Sequence, residues 1–129
     1  MHIEHIALWT KDIDRLCSFY ETWFGAAAGN KYVNETKDFS SCFLTFPSGV
    51  RLEIMRSGVA GNHSAMHEPV AAGYAHIAFS VGSEEAVDDL TQRINDAGYV
   101  ILDGPRWTGD GYYESVVLDP DGNRIEITV

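Results

Sequence analysis

Two histidines and two glutamates recur in a matched pattern along this chain. His5 opens the segment His5-Ile6-Ala7-Leu8, and His76 opens His76-Ile77-Ala78-Phe79. Glu53 lies in Arg51-Leu52-Glu53-Ile54, and Glu126 in Arg124-Ile125-Glu126-Ile127. Glu53 follows His5 by 48 residues and Glu126 follows His76 by 50, and each Glu is the fourth residue after a turn glycine, Gly49 or Gly122. Two imidazoles and two carboxylates form a donor set suited to one first-row divalent ion per site (Ni, Co, Zn, Mn or Fe), with positions left over for water or substrate. Singly, His5 reads as a core or surface histidine and Glu53 as a strand residue paired with Arg51. The repeated pairing carries the metal reading, because converging carboxylates repel and a divalent cation compensates them.

The elements that must position these residues also repeat. Each His segment reads as a short strand followed by an amphipathic helix. The first helix, Ile13 to Phe24, has apolar residues at 13, 16, 20, 23 and 24 and stops at Gly25. The second, Glu84 to Ala97, buries Val87, Leu90, Ile94 and Ala97 behind an N-cap at Ser83 and stops at Gly98. Strand, turn and strand then close each half, with turns at Pro47-Ser48-Gly49 and at Asp119-Pro120-Asp121-Gly122. The pattern predicts an α+β fold of two βαβββ modules, roughly 1–58 and 74–129, joined by a connector at 59–73 and counted as one domain over 1–129. Side chains alternate along a strand, so Ile6, Leu8, Leu52, Ile54, Ile77, Phe79, Ile125 and Ile127 are expected under the helices. His5, Glu53, His76 and Glu126 then face the opposite, concave side, around a metal site.

Composition narrows the partners. Nineteen acidic against nine basic residues give a formal charge of −10, which repels phosphate backbones and anionic lipid surfaces. No stretch reaches the roughly 20 apolar residues that a membrane-spanning helix needs. Neither nucleic acid nor a membrane is expected as partner. Cys17 and Cys42 lack CxxC spacing, so neither a disulfide framework nor a thiolate zinc site is expected, and a reducing cytoplasm fits. His63 and His67 have the spacing of a helical metal motif, but Gly58, Gly61, Asn62 and Pro69 around them make the segment a loop. His2, near the terminus, has less to recommend it.

In HIALWTKD, RLEIM, AHIAFSV and LDPDGNRIEI the chain resembles the vicinal-oxygen-chelate superfamily over nearly its whole length. That superfamily includes glyoxalase I, fosfomycin resistance proteins, extradiol dioxygenases and bleomycin resistance proteins. The order His5, Glu53, His76, Glu126 is similar to the His, Glu, His, Glu set of glyoxalase I. Dioxygenases and fosfomycin transferases show a three-ligand pattern, and a methylmalonyl-CoA epimerase has Gln where Glu53 stands. The resemblance implies a glyoxalase I-like lyase that converts the hemithioacetal of a 2-oxoaldehyde and a thiol to a 2-hydroxyacyl thioester through an enediolate. Glu126 or Glu53 is the implied catalytic base. The alternatives are a metal-free small-molecule binder like the bleomycin resistance proteins, or another metalloenzyme of the superfamily, a dioxygenase or a fosfomycin-type thiol transferase.

The substrate is expected to be a small molecule, such as a thiol adduct. Candidates for its pocket are Trp9, Arg15, Arg51, Met55, Arg106, Tyr112 and Tyr113. Trp9 reads equally as a core residue, and Arg106 to Tyr113 equally as a plain hairpin. An open sheet edge predicts a homodimer. Whether the two His–Glu pairs meet within one chain or between two is left open.

Overall fold

A computed structural model describes residues 4–58 and 73–129. His2, His63 and His67 lie outside the described residues. The chain divides into two compact units, Met1–Asn62 and His63–Val129.

The first unit runs β1 (His5–Trp9), α1 (Ile13–Phe24), β2 (Ala27–Ala28), β3 (Tyr32–Asn34), a 3-10 turn, β4 (Phe39–Thr45) and β5 (Arg51–Ser57). Helix α1 starts where the Asp12 carboxylate accepts the Arg15 N–H at 3.0 Å and stops at Gly25, whose φ of 66° is left-handed. It buries Ile13, Leu16, Cys17, Phe19 and Tyr20 against β4, β5 and β2. The sheet order is β1-β5-β4-β2, with β3 also on β4. The β1–β5 pair is parallel and β4–β5 antiparallel, which makes the sheet mixed.

The second unit repeats this plan as β6 (Ile77–Ser80), α2 (Glu84–Asp96), β7 (Ile101–Trp107), β8 (Tyr113–Leu118) and β9 (Arg124–Thr128), in the order β6-β9-β8-β7. Ser83 caps α2 by accepting the Ala86 N–H at 3.1 Å. The helix buries Val87, Thr91 and Ile94, which corrects the expected face in two places. Leu90 is half-buried and Ala97 exposed, because the chain leaves the helix at Asp96. Thr91 enters the core because its hydroxyl is satisfied by Val87 O and Ser115 Oγ, each at 2.6 Å.

The two closing hairpins match bond for bond. Phe46 N–H donates to Val50 O at 3.0 Å and Gly49 N–H to Phe46 O at 2.9 Å, while Asp119 N–H donates to Asn123 O and Gly122 N–H to Asp119 O, both at 3.0 Å. Gly49 and Gly122 have φ of 87° and 85°, the left-handed region that a side chain disfavours. In the second hairpin the buried Asp119 carboxylate also accepts from Asp121 N, Asn123 N and Asn123 Nδ2.

Leu52 and Ile54 on β5, and Ile125 and Ile127 on β9, are buried, as alternation requires. The outer strands differ from expectation. Ile6 on β1 is 40% exposed and Leu8, Ile77 and Phe79 are half-buried, because α1 packs mainly on β5, β4 and β2 and α2 mainly on β9, β8 and β7, which leaves β1 and β6 less covered. Among the described residues no helix is long and apolar enough to cross a membrane.

Candidate metal centre

Strand register places each His–Glu pair in the same way. In the first unit His5 stands opposite Arg51, and Ala7, two residues on, stands opposite Glu53. In the second, Ala78 stands opposite Glu126, and His76 again precedes that position by two. His76 lies just before the first residue of β6. In a parallel pair, residues two apart along a strand share a face, so each His and its Glu project from the side away from the helix. His5 Nε2 is 3.6 Å from Glu53 Oε2, and His76 Nδ1 is 3.1 Å from Glu126 Oε1. The carboxylates are mostly shielded, with side-chain exposures of 17% for Glu53 and 21% for Glu126.

The 3.1 Å pair has the spacing of two ligands on one ion, and the 3.6 Å pair has to close slightly to reach it. Two donors each about 2.1 Å from one ion stand about 3.0 Å apart at 90° and about 3.4 Å apart at the tetrahedral angle. An imidazolium–carboxylate ion pair has similar spacing, so the chemistry of the neighbours matters. His5 Nδ1 contacts a Glu4 carboxylate oxygen, so each ring nitrogen of His5 lies near a carboxylate, Nδ1 near Glu4 and Nε2 near Glu53. The hydrogen bond to His5 and the Arg51 charge hold the Glu4 carboxyl below its ordinary range. Within each unit the described residues bring two ligand candidates together, and among them no group of three or more His, Cys, Asp or Glu is arranged to hold a metal ion.

The remaining sequence candidates divide by face. Arg51, Met55 and Trp9 share the His5–Glu53 face through register. The Arg51 guanidinium lies 4.2 Å from the Phe43 ring centroid and pairs with Glu4, and Trp9 packs edge-on to Phe39 at 6.3 Å. Arg106 stands opposite Glu114 on β8 but extends to Asp103, whose carboxyl it holds below the usual range. Tyr112 lies in the turn before β8 and is 56% exposed. Two candidates fall on the other side. Arg15 is carried by α1, and the Tyr113 hydroxyl donates to Asp88 of α2 at 2.7 Å, so both belong to the helix-covered face, across the sheet from the His–Glu pairs.

Three residues of these faces were missed from the sequence. Phe43 stands opposite Glu53 and meets the His5 ring edge-on at 5.2 Å. Glu114 shares the Glu126 face, because Val116 stands opposite Glu126 and Glu114 is two residues away. Burial raises the Glu114 carboxyl, and the Glu126 charge raises it further. Counting back from the turns at Gly49 and Gly122 would have found both. Glu4 had no such signal, since only the side-chain conformations bring it to His5.

A model of the glyoxalase/bleomycin resistance protein/dioxygenase superfamily matches residues 2–127. The metallothiol transferase FosB of Lysinibacillus sphaericus is 27% identical over 124 residues, covering 96% of this chain and 79% of that protein. A glyoxylase/bleomycin resistance protein/dioxygenase domain from Frankia has a TM-score of 0.82 at 19% identity, covering 100% of this chain and 97% of its own. The trypanothione-dependent glyoxalase I of Leishmania major has a TM-score of 0.76 at 25% identity, covering 99% of this chain and 86% of its own. With the match spanning nearly every residue and the repeated module present twice, the chain belongs to the glyoxalase/bleomycin resistance protein/dioxygenase superfamily, the vicinal-oxygen-chelate proteins.

Proposed function

We propose that this protein is a divalent-metal-dependent lyase of the glyoxalase I type, a cytoplasmic homodimer whose two modules act as one domain. The observation that carries the reading is the shared offset of the two His–Glu pairs, with Glu opposite the residue two after the His and donor atoms 3.6 and 3.1 Å apart. His5, Glu53, His76 and Glu126 are the proposed ligands. When bound, Ni, Co, Zn, Mn or Fe would supply Lewis acidity toward two adjacent substrate oxygens.

The chain's own residues do the rest. Glu126, or Glu53 in its place, takes the proton from the carbon of the hemithioacetal and returns it to the neighbouring carbon, which turns the adduct into a 2-hydroxyacyl thioester. Phe43 and Ala7 flank Glu53 without adding charge. Trp9, Met55, Arg51 and Arg106 are the proposed pocket residues, with Tyr112 at its edge. Arg51 and Arg106 already hold carboxylates of this chain, so an anionic thiol such as glutathione has to compete for them.

Elemental analysis of the purified protein, followed by an ultraviolet assay of thioester formation from methylglyoxal and glutathione after loading with Ni, Co or Zn, tests this. Bound metal with thioester production is the expected result. Metal affinity left untouched by Glu53→Gln and Glu126→Gln overturns the ligand assignment. Thiol transfer is a second reading, supported by the likeness to FosB across 96% of this chain; it predicts thiol addition to an epoxide in place of isomerisation, which product analysis separates.

A further inference from the structure

The face that carries His5 and Glu53 continues into an aromatic shelf. Parallel pairing puts Trp9 opposite Met55, two residues beyond Ala7 and Glu53 and so about 7 Å farther along the strands. Ser41 stands opposite both Met55 and Tyr32, and Phe39, two residues from Ser41, shares its face. Phe39 meets Trp9 edge-on at 6.3 Å and lies 6.2 Å from the Tyr32 ring, so three rings run together beside Met55. The Asn34 side-chain amide donates to the Tyr32 hydroxyl at 3.3 Å, which satisfies the polar tip and leaves the ring body for other contacts. Trp9 is 52% and Tyr32 56% exposed, and contiguous exposed apolar area marks a binding surface where scattered residues do not. The repeated fold does not require the shelf. At the matched positions of the second unit Ser80 stands opposite Thr128, and Glu114 takes the place that Ser41 has in the first.

We propose that the ligand of this half-site is aryl-substituted: a ring on the carbon beside its two vicinal oxygens lies against Trp9, Phe39 and Tyr32, while the oxygens stand at His5 and Glu53. The direction follows from where charge sits on the face. Arg51 is opposite His5 and pairs with Glu4. It precedes Met55 by four residues on β5, so strand rise puts it about 13 Å from the shelf. A charged group is therefore favoured at one end of the face and a planar apolar group at the other. A methyl substituent at the His–Glu pair stops short of the rings, whereas a phenyl ring covers most of the two-residue interval between Glu53 and Met55. Edge-on and offset contacts with the aromatic side chains then add to the burial of that ring. The 2-oxoaldehyde of the proposed reaction becomes an arylglyoxal, preferred over methylglyoxal. This substrate class rests on the proposed metal centre; the capacity of the shelf to bind an aromatic ring does not.

The test is calorimetric titration of the full chain, metal-free and loaded with Ni²⁺, with benzohydroxamic acid and with acetohydroxamic acid, while nuclear magnetic resonance follows the Trp9 indole N–H. The two probes share the same vicinal oxygens and differ as phenyl against methyl. Benzohydroxamic acid is expected to bind about 10-fold more tightly in both forms of the protein and to move the Trp9 signal. Trp9→Ala and Tyr32→Ala, both at exposed positions, should each reduce that preference several-fold. Equal affinity for the two probes overturns the proposal, as does a preference that neither variant changes. A Trp9 signal that follows protein concentration and ignores the probe also overturns it, and assigns the shelf to a second copy of this chain. If Ni²⁺ strengthens the binding of neither probe, the metal centre fails instead, and the phenyl-over-methyl preference in the metal-free protein still decides the shelf.

Discussion

Replacing Thr91 with Val probes the polar contact that seats α2 on the sheet bearing Glu126. Thr91 is 4% exposed and Ser115 is 1% exposed, and their hydroxyls meet at 2.6 Å. The single Thr91 proton goes to Val87 O, also 2.6 Å away, so Ser115 donates and Thr91 accepts. Thr91→Val preserves shape but strands the Ser115 hydroxyl without an acceptor, a cost of about 1–3 kcal/mol. Ser115→Ala removes the donor and leaves Thr91 still bonded to Val87 O, which costs about 0.5–1.5 kcal/mol. The double variant has no orphaned group, so it should be less destabilised than the sum of the singles by about 1 kcal/mol. Urea unfolding followed by circular dichroism, run as a double-mutant cycle, reads this coupling. Additivity within about 0.3 kcal/mol would refute the donor assignment.

Burial pushes the Cys17 thiol up to about 12, helped by Cys42, Glu21 and Asp14; Cys17 should therefore resist iodoacetamide at pH near 8 in the native protein and react after denaturation, as mass spectrometry would show. The folded state holds that proton where the unfolded chain has lost it, so stability from this group falls as pH rises above 9.0. Because the Glu114 carboxyl is raised from 4.5, its ionised form is disfavoured on folding. Glu114→Gln should stabilise the metal-free protein at neutral pH, with the difference vanishing below about pH 4, measurable by thermal melts across pH. Tyr113→Phe loses the 2.7 Å bond to Asp88 and should lower the melting temperature slightly while leaving Ni²⁺ affinity unchanged in titration, since that hydroxyl faces α2.

How far residue order alone carries can be read from particular elements. The β-α-β-β-β plan, both helix starts and the two turn glycines follow from local chemistry: a capping Ser83, an apolar stripe with helical spacing, and Gly49 and Gly122 in a left-handed conformation. Alternation then assigned Glu53 and Glu126 to the face away from Leu52, Ile54, Ile125 and Ile127, and the buried set agrees. These features depend on neighbours within a few residues, which the sequence displays directly. Which strand each helix covers does not. Ile6 and Leu8 have the same alternation as Leu52 and Ile54, yet α1 packs mainly on β5, β4 and β2 rather than on β1, because pairing order is a non-local property. The same holds for Thr91, whose burial depends on a hydroxyl 24 residues away. Above all, the sequence counts 48 and 50 residues between His and Glu, two unequal spacings. Only the parallel pairing of β1 with β5 and of β6 with β9 makes them the same offset in space, since loop length between paired strands is free while hydrogen-bond register is not.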